Sequence, residues 1–130
     1  MIWKANVLLA SLLWLPRPVW AGKATEVVEF VMKRFGKEAV KEGAHAFARR
    51  IEGLAVKHGP EVYRAVKRVG PGAVHLLEQA GPRGKTAAQV LARFGDEAVI
   101  IAARPQALAL VARHGDEAAR VLLKHKRISP

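Results

Sequence analysis

The sequence predicts an all-α protein: a compact array or short solenoid of about seven or eight short helices that follows an N-terminal signal peptide. Three observations predict it. An apolar run near the N-terminus is followed by prolines, a glycine-centred phrase recurs along the rest of the chain, and apolar residues between its copies fall at helical spacing. Period-two alternation, which is typical of half-buried strands, does not extend over several residues, so we expect no sheet.

The first 21 residues have the three regions of a secretory signal peptide in the expected order. Lys4 supplies a positive charge beside the free amine, and Val7–Leu15 is an apolar run broken only by Ser11. Val19 and Ala21 then place small or modest side chains at the −3 and −1 positions of a signal-peptidase cleavage site. The sequence therefore predicts a signal peptide over residues 1–21.

Two alternatives for this segment are a membrane anchor and a core helix of the domain. A spanning helix needs roughly 20 apolar residues, whereas Pro16 and Pro18 interrupt this segment well before that length. We therefore expect cleavage between Ala21 and Gly22, a single domain over residues 22–130, and export to the periplasm or the cell exterior.

A short phrase recurs along the rest of the chain: a large residue, glycine, usually aspartate or proline, and then acidic and small apolar residues. Its glycines are Gly36, Gly59, Gly70, Gly95 and Gly115, with a weaker copy at Gly81. The spacings of 23, 11, 11, 14 and 20 residues indicate a unit of one short helix and a turn. A glycine ends a helix in the left-handed conformation at little cost, and aspartate, proline and glutamate suit the next helix start.

The intervals between the phrases carry apolar stripes at helical spacing, and basic residues fall at or near the expected helix ends. The second helix is the longest, although Gly43 and Gly53 weaken it. Predicted helices lie at about 24–35, 37–57, 60–69, 71–80, 85–94, 96–104, 106–114 and 116–126.

The Gly-Asp-Glu-Ala-Val phrase, repeated behind a signal peptide, resembles small bacterial exported helical proteins whose function is unassigned. The phrase is complete at Gly95–Val99, and the resemblance covers most of the chain after residue 22. The resemblance implies a helical repeat architecture, and it implies no activity and no functional residues.

The chain is strongly basic and has no cysteine. Its net charge is +11, and the loss of Lys4 and Arg17 with the signal peptide (the leader, residues 1–21) lowers this charge to +9. Such a charge favours an acidic protein or an anionic component of the cell envelope as partner. The alternative is that the charge only keeps a small protein in solution. Without cysteine, disulfide frameworks and thiolate sites are excluded.

Two basic clusters are candidate anion contacts. The first comprises Lys33, Arg34, Lys37 and Lys41, and the second comprises Lys124, Lys126 and Arg127. Stabilisation of helix ends is the alternative role for most of these cations. Nucleic acid is disfavoured as a partner because few aromatic residues remain to stack on bases, whereas a membrane surface is a further candidate.

No catalytic constellation is found, so we expect no enzyme, no cofactor and no metal. Gly84-Lys85-Thr86 lacks the glycine that a phosphate-binding loop needs five residues earlier, where Gln79 stands. The histidines lack metal-site spacing, and hydroxyl groups are too scarce for a nucleophilic triad.

The sequence thus predicts an exported, non-enzymatic interaction or structural module that binds an acidic partner or an envelope component. Two alternatives stay open. The first is a membrane-active basic protein of a toxin-like kind, since amphipathic basic helices permit it. The second is an accessory subunit of an envelope enzyme.

Overall fold

The structure is a computed structural model that describes the backbone of residues 19–128 and the side chains of residues 22–125. Every regular element in this part is helical, and it contains no strand. The all-α prediction is therefore confirmed. The proposed signal peptide lies mostly outside the described residues, and the helix that begins at Val19 crosses its predicted cleavage site.

We number the α-helices of the described part from its N-terminus. They are α1 (Val19–Phe35), α2 (Ala44–His58), α3 (Glu61–Val69), α4 (Gly72–Ala80), α5 (Gly84–Phe94), α6 (Val99–Ala102), α7 (Pro105–His114) and α8 (Asp116–Ile128). Short 3-10 helices lie at Lys37–Ala39, Gly81–Arg83 and Gly95–Ala98.

The predicted number of separate helices is wrong. The eight α-helices of the described part form only six separate helical stretches, because α4, α5 and α6 are joined by 3-10 segments over residues 72–102. The isolated three-residue turn at Lys37–Ala39 is not counted among the six. The expected helices at 71–80, 85–94 and 96–104 follow one another without a loop. Two 3-10 segments, Gly81–Arg83 and Gly95–Ala98, connect them, and each segment begins at a glycine with positive φ.

The long helix predicted over 37–57 is also wrong. Its first part is the 3-10 turn Lys37–Ala39, and α2 begins only at Ala44. Gly43 has φ +94°, which interrupts a helix and precedes the start of α2. Gly53 lies inside α2 at ordinary helical geometry, so the second glycine did not break the helix.

The glycines of the repeated phrase lie at sharp corners between helices, and all five have positive φ. Their ψ values lie beyond 140° in magnitude, which is the extended region that essentially only glycine adopts, and not the left-handed helical region that we expected. Gly70 shows how the corner works. Its N–H donates to the Val66 carbonyl at 2.8 Å, and its own carbonyl accepts from the Ala73 N–H at 3.0 Å. One residue thus completes α3 and begins the next helix.

The core is a single apolar cluster to which every long helix contributes. Helices α1 to α5 each pack on the next helix and on the one after it, and α3 with α5 forms the most extensive pair. Alanines at that interface, including Ala65, Ala87 and Ala88, are fully buried and let the two helices approach closely. The chain is therefore organised by contacts between neighbours in sequence.

Arginines of one helix satisfy the exposed carbonyls at the C-terminus of another. Arg34 of α1 donates to the Lys67 carbonyl in the last turn of α3 at 3.2 Å. Arg68 of α3 donates to the Ala92 carbonyl of α5 at 2.9 Å and also to that of Arg93. These carbonyls have no partner within their own helix, so the guanidinium groups both cap the helix and offset the negative end of its dipole.

We predict that Arg68→Ala lowers the free energy of unfolding by about 1–2 kcal/mol, since it removes charge-assisted hydrogen bonds between α3 and α5. Urea denaturation followed by circular dichroism measures the change. Arg64→Ala is the matched control on the same helix. Arg64 is 76% exposed and pairs only with Glu61, so we expect a loss below about 0.5 kcal/mol. Equal losses in both variants would contradict the capping role.

Candidate functional site

A groove of about 760 Å³ lies between the C-terminal half of α2 and the end of α4 with the 3-10 turn after it. Leu54 and Leu77 form its apolar floor. Gly53 leaves it open, because a Cβ atom at this position would have no neighbouring atom within 4 Å. The exposed side chains of Arg49 and Lys57 lie at its edge. The volume is within the range of sites that hold small molecules or short peptide segments.

A three-residue ion-pair network closes one side of this groove. Arg50 of α2 donates through Nε to Glu78 of α4 at 3.1 Å, pairs with the second oxygen of the same carboxylate, and also pairs with Glu42 in the loop before α2. The fork of the guanidinium matches a carboxylate in this two-bond arrangement. Arg50 is therefore engaged in holding α2, α4 and the loop together, and its charge is neutralised within the fold.

His58, the last residue of α2, lies at the other side of the groove. Its imidazole packs directly on Gly84, the buried first residue of α5, where any Cβ atom would overlap the ring. Burial, with a smaller effect of the charge on Lys57, lowers the pKa of His58 below its ordinary value of 6.5. His58 is thus neutral at neutral pH, and the free positive charge of the groove comes from Arg49 and Lys57.

The groove offers binding groups and no reactive pair. Its one carboxylate, on Glu78, is held by Arg50, and the described residues that line it include no hydroxyl or thiol. The groove can bind an anion through Arg49 and Lys57, and Leu54 and Leu77 can cover an apolar group of the same ligand.

The first predicted anion cluster is divided by the structure into engaged and free cations. Arg34 caps α3, and its guanidinium also lies 5.1 Å from the centre of the Phe35 ring. Lys33, Lys37 and Lys41 are exposed and form no ion pair with any described residue. The three lysines are the part of this cluster that remains accessible to an anion.

The second predicted cluster lies on α8, at the other end of the helix order. Lys124 is exposed there, whereas the side chains of Lys126 and Arg127 lie outside the described residues. Helix α8 packs on α7, and α1 packs on α2 and α3. The helices that bear the two clusters, α1 and α8, therefore contact different neighbouring helices.

Sequence reasoning missed a third group of cations. Arg83, Arg104 and Arg113 lie around Leu110 on the outer side of α7, where they line two adjoining depressions. Arg104 and Arg113 lie at or near the ends of the helices predicted at 96–104 and 106–114, and Arg83 lies between the helices predicted at 71–80 and 85–94. No sequence signal brings them together, because Arg83 and Arg104 are 21 residues apart and line adjoining depressions only through the packing of α7 on the Gly81–Arg83 turn.

Within the described residues, no group of three or more histidine, cysteine, aspartate or glutamate side chains is placed to hold a metal ion. No helix in that part of the chain has both the length and the apolar character needed to cross a membrane.

Comparison with known proteins gives no relative from which a function could be transferred. No family model, no curated protein and no solved structure matches the chain. The function therefore has to be argued from the chemistry of the chain itself.

We predict that His58 makes the fold less stable in mild acid. Below about pH 6.5 the unfolded chain protonates His58 before the folded chain does, so the free energy of unfolding falls as the pH is lowered through this range. Urea denaturation between about pH 8 and pH 5 measures the decline. In His58→Gln the decline should be smaller than in the wild type.

The matched control for this prediction is His114→Gln. His114 occupies the same position of the repeated phrase, directly before a glycine, but it is exposed and lines neither the groove nor the interface with α5. A pH profile that is the same in the wild type and in His58→Gln would show that the contact with Gly84 does not disfavour the charged imidazole.

Proposed function

We propose that this protein is an exported, non-enzymatic interaction module. In this proposal a short solenoid of helices presents basic surface to an acidic protein or an anionic component of the cell envelope. The observation that carries it is that the excess of positive charge is not neutralised within the fold.

The distribution of ion pairs supports this. Among the side chains of residues 22–125, the cations that form ion pairs are Arg50, Arg64 and Arg93, and none is a lysine. The chain has 22 lysines and arginines against 11 acidic residues. An excess of this kind attracts anionic partners and speeds their association at low ionic strength.

The position of the core supports export of a cleaved chain. The buried face of α1 consists of Ala24, Val27, Val28 and Val31. All four follow the proposed cleavage point after Ala21, so removal of residues 1–21 would leave this face of the core in place. The leader itself, with its apolar run ended by Pro16, is the sequence feature on which the proposal of export rests.

We predict that the protein recovered from the periplasm or the culture medium begins at Gly22. Intact-mass measurement of the exported protein identifies its first residue. Leu12→Arg places a charge in the apolar run and should leave uncleaved protein, starting at Met1, inside the cell. Leu12→Ile keeps the run apolar and is the control. A wild-type protein that keeps residues 1–21 after export would contradict the cleavage proposal.

We also predict a salt-sensitive partner. The immobilised protein is exposed to a cell-envelope extract at about 50 mM salt and then eluted at about 1 M salt, where charge interactions beyond a few ångströms are screened. A resin that carries polylysine is the control, because it retains anything that binds positive charge without regard to its arrangement. We expect a component that elutes from the protein and is not retained by polylysine. Identical eluates from both resins would contradict a specific basic surface.

A further inference from the structure

The outer side of α7 carries a second concave region, distinct from the groove between α2 and α4. Two adjoining depressions of about 480 and 650 Å³ share Gln106 and Leu110 as lining residues. We call this region the α7 surface. It is defined by Arg83, Arg104, Gln106, Leu110, Arg113 and Leu122.

The positive charges on the α7 surface are not neutralised by any described residue of the protein. Arg83, Arg104 and Arg113 are exposed, and no described residue forms an ion pair or a side-chain hydrogen bond with them. The described residues that line the two depressions include no aspartate or glutamate. The groove differs in this respect, because Glu78 stands in its wall and neutralises Arg50.

The three arginines surround an apolar centre. Leu110 is 45% exposed, whereas Leu108 of the same helix is buried. Leu122 of α8 is half-buried beside it. An exposed apolar side chain within a ring of charged ones is the arrangement of many protein-binding surfaces.

The spacing of the arginines is set by the helix. Arg104 immediately precedes α7 and Arg113 lies in its last turn. Nine residues of α-helix separate them by about 14 Å. Arg83 belongs to the Gly81–Arg83 turn, which packs against the side of α7. An extended chain covers about 14 Å with four or five residues.

We propose that the α7 surface binds an acidic segment of a partner protein. Carboxylates of the segment meet Arg83, Arg104 and Arg113, and an apolar side chain between them packs on Leu110. Arginine is suited to this role because its planar guanidinium donates two parallel hydrogen bonds to a carboxylate. The proposal rests on the proposed function, of which it names the site and the chemical class of the partner.

Two other occupants fit the surface less well. A lipid bilayer is flat on this scale and would not fill two concave depressions beside a helix. The protein's own leader is apolar but carries Lys4 and Arg17 and no carboxylate side chain, so it would add positive charge to three arginines. Complementarity of charge and shape therefore favours an acidic peptide segment.

The probe for this proposal is a display library of random twelve-residue peptides, selected on the immobilised full-length protein at low salt. Selected peptides are synthesised with a fluorophore, and their dissociation constants are measured by anisotropy. The test variant is the triple substitution Arg83→Gln, Arg104→Gln and Arg113→Gln. The matched control is Lys23→Gln, Lys67→Gln and Lys85→Gln, which removes the same net charge from exposed positions that line neither depression.

We expect the selected peptides to combine aspartate or glutamate with leucine or an aromatic residue within about five positions. The arginine variant should weaken their binding about tenfold or more, since each exposed ion pair contributes modestly and three are lost. The lysine variant should weaken it less than about threefold. Leu110→Ser should also weaken it, whereas Val121→Ser, which changes an even more exposed residue of α8, should not.

Three results would overturn the proposal. Equal weakening by both triple variants would show that net charge alone binds these peptides. The α7 surface would be assigned to lipid by a second result. In that case no acidic peptide is selected, the wild-type protein retains phosphatidylglycerol vesicles, and the arginine variant does not. If no peptide is selected and no vesicle binds, the α7 surface has no such ligand.

These results are separable from failure of the proposed function. Salt-dependent capture of an envelope component that persists in the arginine variant would keep the interaction module and move its site away from α7. Circular dichroism and urea midpoints of all four variants establish that each is folded, since every substituted residue is exposed.

Discussion

The way each helix ends is the constraint on which the rest of this structure depends. A glycine with positive φ donates the last backbone hydrogen bond of one helix through its N–H, and its carbonyl accepts the first hydrogen bond of the next, as at Gly70. The connections at Gly59, Gly70 and Gly115 are one or two residues long, so the helices that they join have to pack on near neighbours. The packing of α3 on α2 and on α4 follows from these short connections.

Glycines also determine which side chains can lie beside the helix ends. The ring of Phe35 packs on Gly70, with its nearest carbon 3.1 Å from where a Cβ atom would be, and Arg68 lies against Gly95 while it caps the carbonyls of α5. The imidazole of His58 packs on Gly84, which has helical geometry at the start of α5. A Cβ atom at Gly84 would overlap the imidazole, and one at Gly70 would be in tight contact with Phe35. Glycine therefore serves both the local geometry of the turn and the close approach of a second helix.

Some cations of this protein are paired within the fold, and only the others are available to bind a partner. Arg34 and Arg68 are used at helix ends, and Arg50 is held by two glutamates. The lysines at 33, 37 and 41, and the arginines around Leu110, have no such internal partner among the described residues. A count of positive charge would treat all of these residues alike, whereas the fold separates structural cations from accessible ones.

Sequence alone determined the helical class, most helix ends and the apolar faces, because these depend on periodicity and on the conformations that glycine and proline permit. The helices at 61–69 and 105–114 lie within one residue of their predicted bounds. Only the tertiary structure decided that residues 72–102 are continuous, that α2 begins at Ala44, and that Arg83, Arg104 and Arg113 share one surface. The physical reason is that the first two features depend on the conformations that Gly43, Gly81 and Gly95 adopt in the folded chain, and the third depends on the packing of α7 on the Gly81–Arg83 turn. The apolar periodicity within one segment determines neither of these.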